Sequence, residues 1–341
     1  SAIYLEGDGL DVSYNVFETT IDDRARGAIE LHGKNAIATG NISHNYKCIV
    51  RGVSYSGANP DPVTNNIIIA NNIAYGANDG INLWSITNHT LKGVTITGNS
   101  IFLLNTSHAE SVHLGISLTY SVLGDVDGSF SDVIISNNII VAEKEIGRSY
   151  NSNDSCGISL QCTGAFQNII VRNNIIRDFP SQGIRFYGRS TVSGVSIEGN
   201  FIIDCGNDTS AAVRICLYLN GTPKKSRIIG NSFIDTGSPT AYGATAIYSF
   251  LASGSEVIIK DNLLPFALPH LAITASGYES TTLVQAFGVS NGATLSVDLG
   301  AYEEFQYTCS TSAMNFTISN PYYFFSGRKV RFWIINTSNG A

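Results

Sequence analysis

The sequence contains few charged residues. Asp, Glu, Lys and Arg together make up 14% of the 341 residues, whereas about 25% is usual in a globular domain. This argues against a coiled coil or a helical bundle, because both are rich in Glu and Lys. The net charge of −7 argues against a nucleic-acid partner, which would need a basic surface. No apolar run of about 18 residues occurs, so we expect no membrane insertion.

Cysteine is also sparse, and its spacing shows neither a disulfide framework nor a zinc motif. No CxxC pair occurs, so we expect no metal and no cofactor, and we expect the thiols to be buried. The six cysteines are Cys48, Cys156, Cys162, Cys205, Cys216 and Cys309. The chain begins at Ser1 without the charged and apolar regions of a signal peptide, and we interpret this start as processed or truncated.

The abundant residues are Gly, with 33 copies, and Asn, with 31. Many of the Asn residues recur in a pattern: a short alternating apolar run, a Gly/Asn or Asn/Asn pair, and a second apolar pair. The Asn anchors of these repeats are Asn15, Asn41, Asn72, Asn99, Asn138, Asn174, Asn200, Asn231 and Asn262. We expect each anchor to occupy a bend that needs positive φ, which Asn tolerates. In stacked coils about 4.8 Å apart, the anchor amides would bond to one another as a ladder.

A second motif precedes most anchors, with the form GIxL. Its copies are AIEL (28–31), GINL (80–83), GISL (115–118), GISL (157–160), GIRF (183–186), RICL (214–217) and AIYS (246–249). Each repeat thus holds three short strands: GIxL, the run before Asn and the pair after it. Three strands in about 30 residues, repeated nine times, indicate a parallel β-helix.

The pattern resembles the right-handed, pectate-lyase-like β-helix family over residues 9–264. The resemblance implies an Asn ladder between the second and third strands of each coil. It also implies that a polysaccharide binds along the first strand, which here is GIxL.

The repeat stops near residue 264. We predict a β-helix domain over 1–264, a linker over 265–280 and a small antiparallel β-sandwich over 281–341. The stretch GATLSVDLG…FTISNP…GRKVRFWIINTSNG resembles the small β-modules that end phage tail fibres and tailspikes, which serve trimerisation or receptor contact. The resemblance as a whole is to a bacteriophage tailspike that degrades capsule or O-antigen. It implies a homotrimer in the virion tail, attached to the virion through a missing N-terminal part.

Candidate catalytic residues lie in the two longest repeats, Asn99 to Asn138 and Asn138 to Asn174, and in the loop of the coil that follows them, residues 177–182. On a solenoid, functional residues lie where loops expand. Neighbouring loops bring together Glu110, Asp154 and Asp178. Adjacent coils separate carboxylates by about 5 Å and alternate coils by about 10 Å, which brackets the geometries of retaining and inverting glycoside hydrolases. We therefore predict endo-hydrolysis of a bacterial surface polysaccharide by a pair of these acids.

The outward positions of the GIxL strands are predicted to bind the substrate, because aromatic faces, amides and guanidinium groups suit sugars. The candidates on these strands are Trp84, Gln161, Arg185, Tyr187 and Arg214, and Asp79, next to GINL, is a further candidate.

Two alternatives stay open. In a polysaccharide lyase, Arg185 and Arg214 would neutralise a uronate while Tyr187 or Tyr218 removed a proton. A non-catalytic glycan-binding adhesin would bind without releasing any product.

Overall fold

The computed structural model describes most of the first 263 residues and a series of short segments beyond them. The described ranges are 1–19, 27–53, 63–77, 79–85, 90–104, 113–120, 128–143, 155–162, 164–206, 215–234, 245–251, 257–263, 271–274, 284–289, 294–298, 304–309, 315–319 and 331–336.

The chain winds through three series of parallel strands, which confirms the predicted β-helix. The first sheet contains Ile3–Asp8, Gly27–Lys34, Cys48–Val53, Ile81–Ser85, Leu114–Tyr120, Cys156–Cys162, the start of Gln182–Glu198, Ile215–Lys224, Thr245–Leu251 and Leu271–Thr274. The second sheet contains Asp11–Ser13, Ile37–Thr39, Val63–Ala70, Thr90–Thr97, Ser129–Ser136, Phe166–Arg172, the end of Gln182–Glu198, Ser226–Ile229 and Val257–Lys260. The third sheet contains Val16–Glu18, Ile42–His44, Ile73–Ala77, Ser100–Leu103, Ile139–Ala142, Ile175–Arg177, Phe201–Ile203 and Ser232–Ile234.

Each strand pairs in parallel with the equivalent strand of the next coil, and residues alternate between the interior and the outer surface. Ile81, Ile116 and Ile158 are opposite one another in the first sheet and fully buried. Phe130 and Phe166 stack in the interior with ring centroids 5.5 Å apart. The period-two pattern of the sequence therefore supplies one continuous apolar core along the solenoid axis. Within the described residues there is no α-helix, and consequently none that could span a membrane.

The Asn ladder is confirmed at all nine anchors. At each step the side-chain amide Nδ2 donates to Oδ1 of the next anchor, as from Asn99 to Asn138 at 2.9 Å. The same Oδ1 also accepts the backbone N–H of the preceding anchor, at 3.0 Å for this pair. The interior anchors are essentially inaccessible to solvent, so the amides satisfy one another where water cannot.

The expectation that the anchors themselves adopt positive φ is wrong. The left-handed residue is the one before each anchor, in all nine coils. These residues are Tyr14, Gly40, Asn71, Gly98, Asn137, Asn173, Gly199, Gly230 and Asp261, with φ between 54° and 67°. Gly, Asn and Asp fill eight of these positions because they tolerate this conformation best. The anchor Asn is instead selected by the ladder.

The glycine of GIxL is required by the close approach of neighbouring coils. A Cβ at Gly115 would lie 2.5 Å from the carbonyl oxygen of Gly157 and 2.3 Å from a methyl carbon of Ile140. Gly80 and Gly157 face the same obstruction from the coils that follow them. The motif therefore reports a steric constraint of the corner before the first sheet.

Two first-sheet strands depart from the motif. Cys48–Val53 has no GIxL string, and Gly52 stands where other coils have Leu or Phe. Leu83 of the next coil fills this space, since its Cδ2 lies 2.7 Å from where a Cβ of Gly52 would be. The alignment of RICL with GIRF is wrong by two residues, because Leu217, and not Ile215, is opposite Ile184.

The prediction of antiparallel strands in the C-terminal segment is wrong for the strands that the structure describes. Val284–Val289, Glu304–Cys309 and Arg331–Asn336 form one parallel sheet, and Thr294–Asp298 and Asn315–Ser319 pair in parallel in another. Alternation of apolar residues is the same in both orientations, so it could not distinguish them. Within the predicted linker, Leu271–Thr274 extends the first sheet by pairing with Thr245–Leu251. The domain boundaries stay predictions.

Candidate functional site

A continuous row of polar side chains follows the outer face of the first sheet. The strand register places Arg51 opposite Asn82, Asn82 opposite Ser117, Ser117 opposite Ser159, and Ser159 opposite Arg185. We call these five residues the polar row. Adjacent strands are about 4.8 Å apart, so the row is about 19 Å long. It carries two guanidinium groups and no carboxylate.

The guanidinium of Arg51 lies over the ring of Trp84. Its Cζ is 3.9 Å from the Trp84 ring centroid, a cation–π arrangement that holds the guanidinium in one place. Its Nε is buried and has no hydrogen-bond partner in the described part of the chain. Trp84 therefore presents an occupied ring face, and its contribution to a site is to position Arg51.

The next two residues of the polar row also have buried polar atoms that lack a partner among the described residues. These atoms are Oδ1 of Asn82 and Oγ of Ser117, and Ser117 is fully buried. An unpartnered buried polar atom costs about 1–3 kcal/mol, so native structures rarely leave one without water or a ligand. Three such atoms, from Arg51 to Ser117, lie on consecutive strands, where water or another polar group would complete their hydrogen bonds.

At the other end of the polar row, Arg185 donates to Oγ of Ser159 through Nε at 3.2 Å and through a terminal nitrogen at 3.1 Å. Ser159 is fully buried, and Arg185 is almost so. The second guanidinium is therefore also fixed by its neighbours.

A carboxylate precedes the polar row. Glu30 is opposite Arg51 in the register, and its Oε1 lies 2.9 Å from Nε2 of His32. Burial alone would raise the pKa of Glu30. This effect is outweighed by the hydrogen bonds from Ser1 and His32 and by the charges of Arg51 and His32, so the net shift of the pKa is downward. Glu30 is therefore ionised at neutral pH, and it ends the carboxylate-free part of this face.

Four of the predicted binding residues lie on strands of the first sheet. Three of them, Trp84, Gln161 and Tyr187, lie two residues further along their strands than the polar row and form a second row beside it. In this second row Trp84 is opposite Thr119, and Gln161 is opposite both Thr119 and Tyr187. Arg185 belongs to the polar row itself. Arg214 lies outside the described residues, and Tyr218, not Arg214, is opposite Arg185.

The fifth predicted binding residue that the structure describes is Asp79. It is buried at the start of its strand, and its Oδ1 accepts the backbone N–H of Leu114 at 3.1 Å. Burial and the charge of Asp79 raise the pKa of the Cys48 thiol to about 12. Asp79 thus joins two coils at the entrance to the first sheet.

Of the three predicted catalytic acids, the structure describes Asp178. Glu110 and Asp154 lie outside the described residues. Asp178 occupies the corner after the third sheet with φ 63°, and its Oδ2 pairs with Nε of Arg177 at 2.9 Å. In the described part of the chain, no cluster of three His, Cys, Asp or Glu side chains could hold a metal ion.

Sequence reasoning missed Arg51. Its strand lacks the GIxL string, although a repeat between Asn41 and Asn72 must also contain a first strand. The alternating stretch CIVRGV was the available signal, since Arg lies between two residues of the buried set.

These features of the fold agree with the comparison to known families. The family model for the right handed beta helix region matches residues 1–202. The chain belongs to this family. No curated protein matches the sequence.

Two solved structures are similar to this β-helix chain. One, described as a glycoside hydrolase, has 12% sequence identity and a TM-score of 0.45 over 76% of this chain and 48% of that one. The other is a mutant tailspike protein of E. coli bacteriophage HK620 in complex with a hexasaccharide, with 12% identity and a TM-score of 0.21 over 93% of this chain and 55% of that one. The chain thus spans about half the length of both proteins.

Proposed function

We propose that this β-helix chain is a phage tailspike that binds a bacterial surface polysaccharide, capsule or O-antigen, along the first sheet. The observation that carries the proposal is the polar row, in which Arg51, Asn82 and Ser117 present unpartnered buried polar atoms on consecutive strands. A glycan is a repeating chain of hydroxyl and ring oxygens, and a row of donors and acceptors at a fixed spacing of about 4.8 Å is suited to it.

The proposed reaction is endo-hydrolysis by two carboxyl groups from the loops beside the first sheet. One carboxyl group protonates the glycosidic oxygen, while the other activates water or attacks the anomeric carbon. Glu110 and Asp154 are two of the three candidates. Asp178 is the third candidate, and it would first have to leave its ion pair with Arg177.

Incubation with purified bacterial capsule and O-antigen tests the proposal. We expect new reducing ends without rising absorbance near 235 nm, which would instead report the unsaturated uronate of a lyase. Replacement by the matching amide, in Glu110→Gln, Asp154→Asn and Asp178→Asn, should abolish cleavage in at least one variant. Asp132→Asn is the control, because Asp132 has φ 52° and Asn tolerates that conformation. Full activity in all three variants would remove the proposed site.

The lyase is the second candidate, and the two guanidinium groups of the polar row favour it, because elimination requires a neutralised uronate. In this reading Tyr218, which is opposite Arg185, takes the place that the sequence assigned to Arg214. A glycan-binding adhesin would retain binding and yield neither product.

We further propose a homotrimer attached to the virion. In its support, the outer face of the third sheet is apolar and open: Val16 is 65%, Phe201 47% and Leu263 62% exposed. Exposed apolar faces of this extent mark association surfaces.

A further inference from the structure

We infer that the polar row is built for an acidic polysaccharide, and that Arg51 is the residue that selects a uronic-acid unit by its carboxylate. This inference rests on the proposed function and names the class of its substrate.

The first step concerns the state of Arg51. Its guanidinium carries five N–H donors, and the described residues offer it neither a hydrogen-bond acceptor nor an ion-pair partner within 4.0 Å. The ring of Trp84 covers one face of the guanidinium. A half-buried cation that interacts with Glu30 only through its charge, without a hydrogen-bonded anion, has donors left for one more anion.

The second step is that Glu30 forms no hydrogen bond with the guanidinium of Arg51 in the described structure. Glu30 is opposite Arg51 in the register, but its carboxylate oxygens are engaged by His32 and Ser1. The negative charge of Glu30 lowers the electrostatic potential on the side of Arg51 that faces the preceding coil. On the other side, Asn82, Ser117 and Ser159 are neutral, and the next charge is Arg185. An anion is therefore favoured over the part of the row that begins at Arg51.

The third step concerns the shape of the anion. A guanidinium binds a carboxylate through two parallel N–H···O bonds, and stacking on an aromatic face leaves the edge of the guanidinium free for this contact. The adjacent Asn82 is only partly buried, and its amide can pair with the hydroxyl groups of the same or the next sugar. A planar carboxylate beside hydroxyl groups describes a uronic acid.

The test uses the whole chain and immobilised bacterial polysaccharides, some uronate-containing, some phosphate-containing and some neutral. Each uronate polysaccharide is also immobilised after chemical reduction of its carboxyl groups to alcohols. We expect binding to a uronate polysaccharide that falls about tenfold or more on reduction, as the loss of a charge-assisted contact predicts.

The variant Arg51→Gln should lose this preference, so that it binds the native and the reduced polysaccharide about equally. Arg51→Lys should recover only part of it, because an ammonium cannot bind in the bidentate manner. Arg172→Gln is the control, since Arg172 is an exposed residue of the second sheet and the change removes the same charge. Trp84 is a positioning residue. The variant Trp84→Ala should therefore lose the preference for the native polysaccharide, and the variant Trp84→Phe should retain it.

Outcomes that overturn the inference differ from those that overturn the proposed function. Equal binding of native and reduced polysaccharides, or binding only to neutral or phosphate-containing ones, removes the acidic substrate and leaves a glycan-binding chain. An unchanged preference in a folded Arg51→Gln removes the role of Arg51. Absence of binding to every polysaccharide removes both the inference and the function on which it rests.

Discussion

At the scale of single residues, the anchors of the ladder are the most strictly determined positions. Each interior Asn uses its oxygen for two donors and its Nδ2 for the next anchor and a backbone carbonyl. For Asn138 that carbonyl belongs to Ile96, at 3.1 Å. No other side chain of this size presents a donor and an acceptor in this way, which is why the sequence alone predicted the ladder correctly.

We predict that Asn138→Ala destabilises the solenoid by about 3 kcal/mol or more, because it orphans several buried groups at about 1–3 kcal/mol each. The measurement is the denaturant concentration at the unfolding midpoint. Asn15→Ala is the matched control. Asn15 lies at the end of the ladder, is only partly buried, and receives no amide in the described chain, so its loss should cost about 1 kcal/mol. Equal effects of the two changes would contradict this account.

Glu30 gives a prediction with a pH dependence. Its folded pKa lies below the ordinary value of 4.5, so the ionised form stabilises the folded state. This stabilisation is complete above the unfolded pKa and is lost as pH falls through the folded pKa. Glu30→Gln should therefore lower the denaturant concentration at the unfolding midpoint at pH 7. The difference in this midpoint between the variant and the parent protein should shrink at pH 3. A difference that is constant from pH 7 to pH 3 would show that the charge is irrelevant.

At the scale of the strand, the sequence could predict that three strands form each coil but could not always predict their register. In RICL the string resembles GIRF, yet Leu217 takes the place opposite Ile184. A shift of two residues preserves the alternation between interior and surface, so hydrophobic pattern cannot detect it. Likewise, Arg51 escaped notice because Gly52 replaces the motif's large residue and Leu83 fills the space from the next coil.

The corner before the first sheet supports a prediction about glycine. Gly115→Ala should destabilise by about 2–3 kcal/mol, because the new methyl group meets the backbone of Gly157 and a neighbouring Ile140. Gly52→Ala is the control. There the nearest atom is the end of the Leu83 side chain at 2.7 Å, which can rotate away, so a smaller loss is expected. Thermal unfolding followed by circular dichroism compares the two. If Gly52→Ala proves the costlier change, this steric account of the motif fails.

At the scale of the whole molecule, the three faces of the solenoid differ in character. The first sheet carries the polar row, whereas the third sheet exposes an apolar row that includes Ile139, Ile175 and Phe201. The sequence predicted which residues point outward, but not that one face would be apolar. That property emerges only when residues from successive coils are aligned in register.

We expect the chain to be a trimer in solution, associated through the third sheet. Ile175→Glu combined with Phe201→Glu should reduce the mass measured by light scattering to that of one chain of 36.5 kDa, without loss of β-sheet content. Ile258→Glu is the control, since Ile258 is similarly exposed, at 42%, on the second sheet. A monomeric parent protein would end the proposal of a trimer, as would dissociation by the control alone.

The ladder also fixes the distances between surface groups on different coils. Since every coil is fixed to the next by an Asn pair and by parallel pairing, the chain can place its surface groups only at whole multiples of one coil rise, about 4.8 Å. Removal of one repeat, cut from one anchor to the next, would restore the ladder and move Arg185 one step nearer to Arg51. The distance between the two guanidinium groups is thus a countable quantity, set by how many repeats separate them. The number of coils between two surface groups therefore determines their separation along the solenoid axis.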